Sequence, residues 1–306
     1  MQFNLRTSAG DSRWGFGVRL RDLAGLPTAA VNDMANDVQF SWTREAGSFR
    51  FSGSFDQGRG SGTYTFAPDA AFLINMANAG YKNLAADDIV RLAVIDVTLA
   101  HVRGLAQVGY PGLSIDDVVR TRIHRVTPDF VRELTGVGFK NVVVDDLIRM
   151  SIHGATAANI KAMQASGIRA ENVDDVIRLR VHKVTPEFVG ALASRGYKSI
   201  SADDLVRMRV HKVTTEGIDQ LKALGFGAMS VDDLVKFRIH KVTPEYVQSM
   251  KDVGFVTVSA DQLVRMRIHK VDAQFVRAAR ADGFALQSPG DAVDLANHGP
   301  KRRRGY

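Results

Sequence analysis

The chain has no cysteine, which excludes disulfides, thiol nucleophiles and cysteine-ligated zinc. It also lacks any apolar run approaching the roughly 18 residues of a membrane-spanning helix. The zinc-peptidase pattern HExxH is missing, and no glycine-rich loop stands between a strand and a helix to cradle phosphate. "GRGSG" at 58–62 lies between two strand-like segments, so it reads as a hairpin turn. The opening "MQFNLRTSAG" does not run from basic to apolar to small residues, so no signal peptide is visible. It does begin inside an alternating pattern. An extracytoplasmic location is expected if a leader has been removed, and a cytoplasmic one otherwise.

An excess of one charge is scarcer than the total suggests. The formal net charge is +7. Residues 1–79 balance, with seven Arg against seven Asp or Glu, and residues 80–300 hold 29 basic and 26 acidic side chains. The tail "KRRRGY" supplies +4 by itself. The chain therefore carries a basic tail rather than a basic face.

Against these absences stands a strict period. Gly-aromatic pairs fall at Gly109-Tyr110, Gly138-Phe139, Gly196-Tyr197, Gly225-Phe226, Gly254-Phe255 and Gly283-Phe284, every step being 29 residues or twice that. Acid pairs keep the same time, among them Asp174-Asp175, Asp203-Asp204 and Asp232-Asp233. A period of this size marks a stacked repeat architecture.

Each unit reads as two short helices. In "SADDLVRMRVH", Ser201 can cap the first amides, and Asp203 and Asp204 suit the positive end of the helix dipole. Arg207, Arg209 and His211 suit its negative end. "VTPEFVGALASRG" starts a second helix with Thr185 as N-cap, Pro186 at the first position and Gly196 as a left-handed stop. Thr127, Thr214 and Thr243 repeat that N-cap. Helices of about 10 residues are marginal alone and need neighbours on both sides. In the first helix, Leu205, Val206, Met208, Val210 and Val213 spread over about 200°, wider than a one-sided surface helix requires. Arg209 falls inside that arc, as do Arg122, Arg180, Arg238 and Arg267. This arginine ladder is expected to be partly buried and to answer carboxylates such as the acid pair of a neighbouring unit.

"PDAAFLINMANAGY" resembles a second helix without its first, and "SPGDAVDLANHG" a first helix without its second. The expected fold is therefore mainly α: an α-solenoid at 68–299, with seven two-helix units between two half-units. Before it, "VQFSW", "SFRFSGSF" and "GTYTF" alternate at period 2, predicting a small antiparallel β cap within 1–67 that packs on the first helices. Residues 300–306 form the basic tail.

His124, His153, His182, His211, His240 and His269 could form a metal ladder or a pH sensor. Stacked helices lie about 8–10 Å apart, whereas zinc ligands converge to about 2 Å from one ion. One histidine per unit therefore suits a structural role better, with the ring at a helix C-terminus bonding the last carbonyls. Adjacent Asp residues diverge by about 100° on a helix, so they serve the dipole and ion pairs such as Asp203 to Arg207 rather than acid–base work. No catalytic residue, metal site or cofactor is expected. A nucleic-acid reader would need a basic concave face, which the balanced charge argues against.

"GYKSISADDLVRMRVHKVT" resembles a helical repeat common in bacterial proteins of uncharacterised function. Similar repeats are appended to membrane metallopeptidases related to the beta-lactam sensors. "SFRFSGSFDQGRGSGTYTFAPDAAF" is similar to the region that precedes such repeats in stand-alone secreted-type bacterial proteins. The resemblance implies a bacterial protein. It carries over no peptidase activity, because the zinc motif and membrane helices of those enzymes are missing. The functional expectation is a non-enzymatic scaffold for a protein or peptide partner, with a histidine-based ligand or metal sensor and a nucleic-acid binder as alternatives.

Overall fold

The computed structural model describes residues 1–6 and 13–299. The basic tail at 300–306 lies outside the described residues. The chain forms two compact units, Met1–Ala157 and Ala158–Tyr306.

The first unit opens with strands β1 (Gln2–Arg6) and β2 (Arg13–Gly17), paired antiparallel with Phe3 opposite Phe16. A short helix α1 (Thr28–Asn32) leads into β3 (Ala35–Arg44), β4 (Gly47–Asp56) and β5 (Arg59–Pro68), an antiparallel sheet in the order β3-β4-β5. The three longer strands are those the alternation predicts. The β1–β2 ribbon, of which the sequence shows only an opening alternation, and the short helix α1 go beyond it, since elements of five residues carry too little pattern to be assigned. The β4–β5 turn places Gln57 and Gly58 at φ 45° and 82°. Two left-handed residues in a two-residue hairpin match the strands' own twist.

One face of these strands carries the aromatic core. Trp42 stacks on Phe16 at 4.9 Å and on Phe49 at 5.3 Å between ring centres. The same apolar cluster takes in Phe72 and Met76 of α2 (Ala70–Asn78), then Val90, Leu92 and Ala93 of α3 (Ala86–Ile95). The sheet is thus roofed by the first helices rather than by solvent.

Helices follow in chain order: α3 then α4 (Leu99–Gln107), α5 (Ile115–Ile123) then α6 (Pro128–Gly136), and α7 (Val144–Ile152) at the end of the first unit. The second unit takes in α8 (Ala157–Ala165) from its second residue and continues with α9 (Val173–Val181) and α10 (Pro186–Ala193), α11 (Ala202–Val210) and α12 (Thr215–Ala223), then α13 (Val231–Ile239) and α14 (Pro244–Asp252). It ends with α15 (Ala260–Ile268), α16 (Ala273–Ala281) and the solitary α17 (Pro289–His298). Among the described residues this makes seven pairs between two single helices, α2 and α17. Within each unit the stacking is regular. First helices pack on first helices (α3 on α5, α11 on α13, α13 on α15), and second on second (α4 on α6, α12 on α14). One continuous apolar cluster runs through the second unit from Met163 to Val293. This is the solenoid solution, in which short helices bury their flanks against copies of themselves.

Both kinds of helix end in one motif. In α12 the Phe226 amide donates to the Leu221 carbonyl at 3.0 Å, with Gly225 left-handed at φ 87°. This Schellman closure explains the Gly-aromatic pairs: glycine takes the left-handed turn, and the aromatic ring folds back onto the stack. In α11 the Val213 amide donates to the Met208 carbonyl at 2.8 Å, and Lys212 takes the left-handed place at φ 55°.

Candidate interaction surface

The helix starts are closed as their sequence implies. The hydroxyl oxygens of Thr127, Thr185, Thr214 and Thr243 accept the amides of Phe130, Phe188, Gly217 and Tyr246 at 3.1, 3.3, 3.1 and 3.2 Å. Ser201 accepts from the Asp204 amide at 3.1 Å.

The acid pairs divide their work. In the second unit, Arg207 holds Asp204 of its own helix at 2.9 Å and Asp232 of the next unit at 2.7 Å. Asp203 is held by Arg178 of the preceding unit at 2.5 Å. Lys236 bridges Asp233 and Asp261, both at 3.8 Å. In the first unit Arg120 joins Asp117 at 3.1 Å to Asp145 at 2.5 Å. The expected pairing of Asp203 with Arg207 is therefore corrected. Arg207 reaches back three residues to the second aspartate of its helix, while the first aspartate points to the previous unit. On α9, Asp174 and Asp175 hold the same places, and Asp175 accepts the Glu171 amide at 3.0 Å. The first aspartate of each pair is exposed and the second half-exposed, so each ion pair contributes about 0–1 kcal/mol.

The arginine ladder answers a different partner from the one expected. Arg122, Arg180, Arg209 and Arg267 are half-buried, and Arg238 is exposed. Arg209 Nε donates to the carbonyl of His182 at 3.4 Å, and Arg238 Nε to that of His211 at 3.2 Å. The guanidinium of Arg209 lies 5.0 Å over the Phe188 ring, and that of Arg267 lies 4.6 Å over Tyr246. Among the described residues only Arg122 of this ladder meets a carboxylate, Asp96, at 3.0 Å, and Asp96 belongs to a helix end rather than to an acid pair. The physical reason is local. The last carbonyls of each first helix have no intrahelical partner. Arg209 meets one of them and stacks on an aromatic face, Arg238 does the first and Arg267 the second. Arg180 Nε is buried without a hydrogen-bond partner among the described residues.

His124, His153, His182, His211, His240 and His269 each occupy the C-cap of a first helix. The expectation that the imidazole bonds the last carbonyls holds at His298 of α17, whose Nδ1 lies 3.2 Å from Asp294 O, but among the described residues it does not hold for these six. The histidine backbone makes the periodic bonds: the His211 amide donates to Arg207 O at 3.0 Å, and His carbonyls accept from the next unit. Among the described residues no three His, Asp or Glu side chains gather into a group that could hold a metal ion, and no helix is long and apolar enough to cross a membrane.

Two features escaped sequence reasoning. Val210, placed in the buried arc by angle alone, is half out of the stack. Ile123 and Ile152 in the first unit, and Val181, Val210, Ile239 and Ile268 in the second, are each 50–57% exposed. Beside the second-unit row stand Lys183, Lys212, Lys241 and Lys270, all exposed and left-handed at φ 54–57°. A non-glycine residue in this conformation costs about 1 kcal/mol. Glycine takes the equivalent position in every second helix of this unit from α10 to α16. Comparing the units position by position would have exposed this contrast.

The other feature is a buried polar pair in the first unit. His101 of α4 and Thr121 of α5 are 6% and 1% exposed. The Thr121 hydroxyl donates to Val118 O at 2.7 Å, so it accepts from His101 Nε2 at 3.0 Å. Burial, with the charge of Arg122 beside it, pushes the imidazole down to about 4. One unit on, the same two places hold Phe130 and Met150.

Two shallow notches occur at one register. One is lined by Tyr110, Val131 and Val142 in the first unit, the other by Phe226, Val247 and Val258 in the second. Their recurrence makes them a product of the repeat rather than a singular pocket.

Fold and geometry together define a helical-repeat protein of the solenoid class carrying small N-terminal antiparallel sheets. No family model matches the chain, and no curated protein emerges as a relative.

Proposed function

We propose that the protein is a non-enzymatic helical-repeat scaffold that binds a protein or peptide partner. One observation carries this reading. The recurrent carboxylates and main-chain carbonyls are spent on the stack, carboxylates on neighbouring arginines and histidine carbonyls on the next unit's guanidinium. Recurrent groups left to solvent without an ion pair among the described residues include a row of aliphatic side chains and a row of lysines. Such a surface offers repeated non-covalent contact and no reacting centre. The balanced charge of residues 80–300 argues against nucleic acid. The resemblance of the repeats to those attached to sensor-type metallopeptidases supports a role in bacterial sensing or regulation.

Cross-linking of the full chain in bacterial lysate, followed by mass spectrometry, tests the scaffold reading. Cross-links from the helical units to a protein partner, above those of an unrelated solenoid, are the expected result. Zinc titration is the counter-test. A melting temperature raised by zinc and restored by chelator, with no partner captured, would replace the scaffold with a metal sensor.

A further inference from the structure

We infer that the edge formed by the C-terminal turns of α9, α11, α13 and α15 is a docking surface for an extended acidic segment with aliphatic side chains at every third position. The inference rests on the scaffold reading and specifies its surface and its partner.

The first observation is what varies. At the exposed position after each Gly-aromatic pair the units of this half differ freely, with Lys198, Gly227, Val256 and Ala285. At Val181, Val210, Ile239 and Ile268 every unit keeps a β-branched aliphatic side chain half exposed to water. β-branched residues are mediocre helix formers, so neither helix formation nor burial accounts for the choice.

The second observation is the left-handed lysine two residues further on. Lys183, Lys212, Lys241 and Lys270 occupy a place where glycine relieves backbone strain, as Gly196, Gly225 and Gly254 do on the second helices. A cation there complements the helix dipole, but the same carbonyl end already receives Arg209 or Arg238 from the next unit. Among the described residues these lysines make no ion pair, whereas Lys236 on the same helices makes two. The nearest acids in sequence are engaged locally. Glu187 and Glu245 bond the N-cap threonines Thr185 and Thr243, which holds their carboxyls below the usual range. Glu216 accepts from Thr215 at 3.2 Å. Among the described residues the row thus presents positive charge without an ion pair, beside apolar groups half open to water. Its complement is acidic and aliphatic.

Spacing selects the conformation of the partner. Neighbouring first helices approach within 8 Å at their Cα atoms, and packed helix axes lie about 8–10 Å apart. An extended polyproline-type chain rises about 3.1 Å per residue with three residues per turn, so one face recurs about every 9 Å. A segment of that form sets one aliphatic and one acidic side chain against each unit. A bilayer is the poorer occupant, because the row has no aromatic anchor and its Val and Ile side chains are half-recessed.

The test uses the full chain and a fluorescent peptide of repeated Ile-Glu-Pro triplets, with Gly-Glu-Pro and Ile-Lys-Pro peptides of equal length as controls. Expected are binding of the first peptide, at least about tenfold weaker binding of both controls, and weakening with salt. The variant K183G/K212G/K241G/K270G should lose binding about tenfold or more while its melting temperature holds or rises, an outcome a purely structural lysine would not give. V181S/V210S/I239S/I268S should lose it as well. Equal binding of the three peptides, unchanged affinity in the glycine variant, or binding of phosphatidylglycerol vesicles through these residues in place of the peptide would each overturn the inference. If the glycine variant still captures the cross-linked partner at wild-type strength, this surface is wrong and the scaffold stands. If neither variant nor wild type captures a partner, the scaffold reading fails with it.

Discussion

The buried His101–Thr121 pair makes the first unit sensitive to acid in a way the purely apolar units are not. The imidazole has a pKa near 6.5 in the unfolded chain and about 4 in the fold. Protons therefore bind the unfolded chain more readily throughout that interval. Stability is complete above pH of about 6.5 and is lost as the pH falls toward about 4. Each pH unit of difference corresponds to about 1.4 kcal/mol, so the loss amounts to about 2 kcal/mol at pH 5 and about 3 kcal/mol at pH 4. The perturbation is H101F/T121M, which installs the pair that Phe130 and Met150 form one unit on. Guanidinium unfolding followed by tryptophan emission is a suitable assay, because Trp14 and Trp42 both lie in the unit Met1–Ala157. Wild type should lose its about 2 kcal/mol between pH 7 and 5, and the double variant should lose only the share that carboxylates contribute to both. Parallel pH profiles for the two proteins, within about 0.5 kcal/mol, would refute the assignment of a neutral buried imidazole.

Three further outcomes are expected. Met208 is fully buried and Val210 half exposed, so Met208→Ala should cost about 2–5 kcal/mol and Val210→Ala under about 1 kcal/mol in denaturant titration. A Cβ added at Gly62 would lie 2.2 Å from Ser52 O and 2.7 Å from the Cα of Gly53; Gly62→Ala should therefore separate β4 from β5, with lost protection of their amides in hydrogen exchange. A double-mutant cycle on Arg207 and Asp232, whose carboxylate side is 65% exposed, should return about 0.2–1 kcal/mol, fading in molar salt.

The repeat was legible because its signals are local. Caps such as Thr185 and Ser201, the stops at Gly196 and Gly225, and the acid pairs at helix starts each act within one or two turns, so position in the chain suffices to assign them. The three longer strands were legible for the same reason: alternation is a property of neighbours in sequence. The partners of the charged side chains were not. Arg209 could be placed on a helix face from its angle, but a carboxylate and a helix-end carbonyl compete for it. The neighbouring unit decides, by bringing the His182 carbonyl and the Phe188 ring to it.

The chain by itself determined that short helices would recur in pairs and where each would begin and stop, because propensity, capping and dipole complementarity are settled within about ten residues. Tertiary structure alone decided which side of those helices meets water. Met208 and Val210 are two residues apart and similarly apolar, yet one is sealed against the next repeat and the other stands open. Only the stacking of one helix on another removes surface from solvent, and that stacking spans a separation in sequence that no local pattern records.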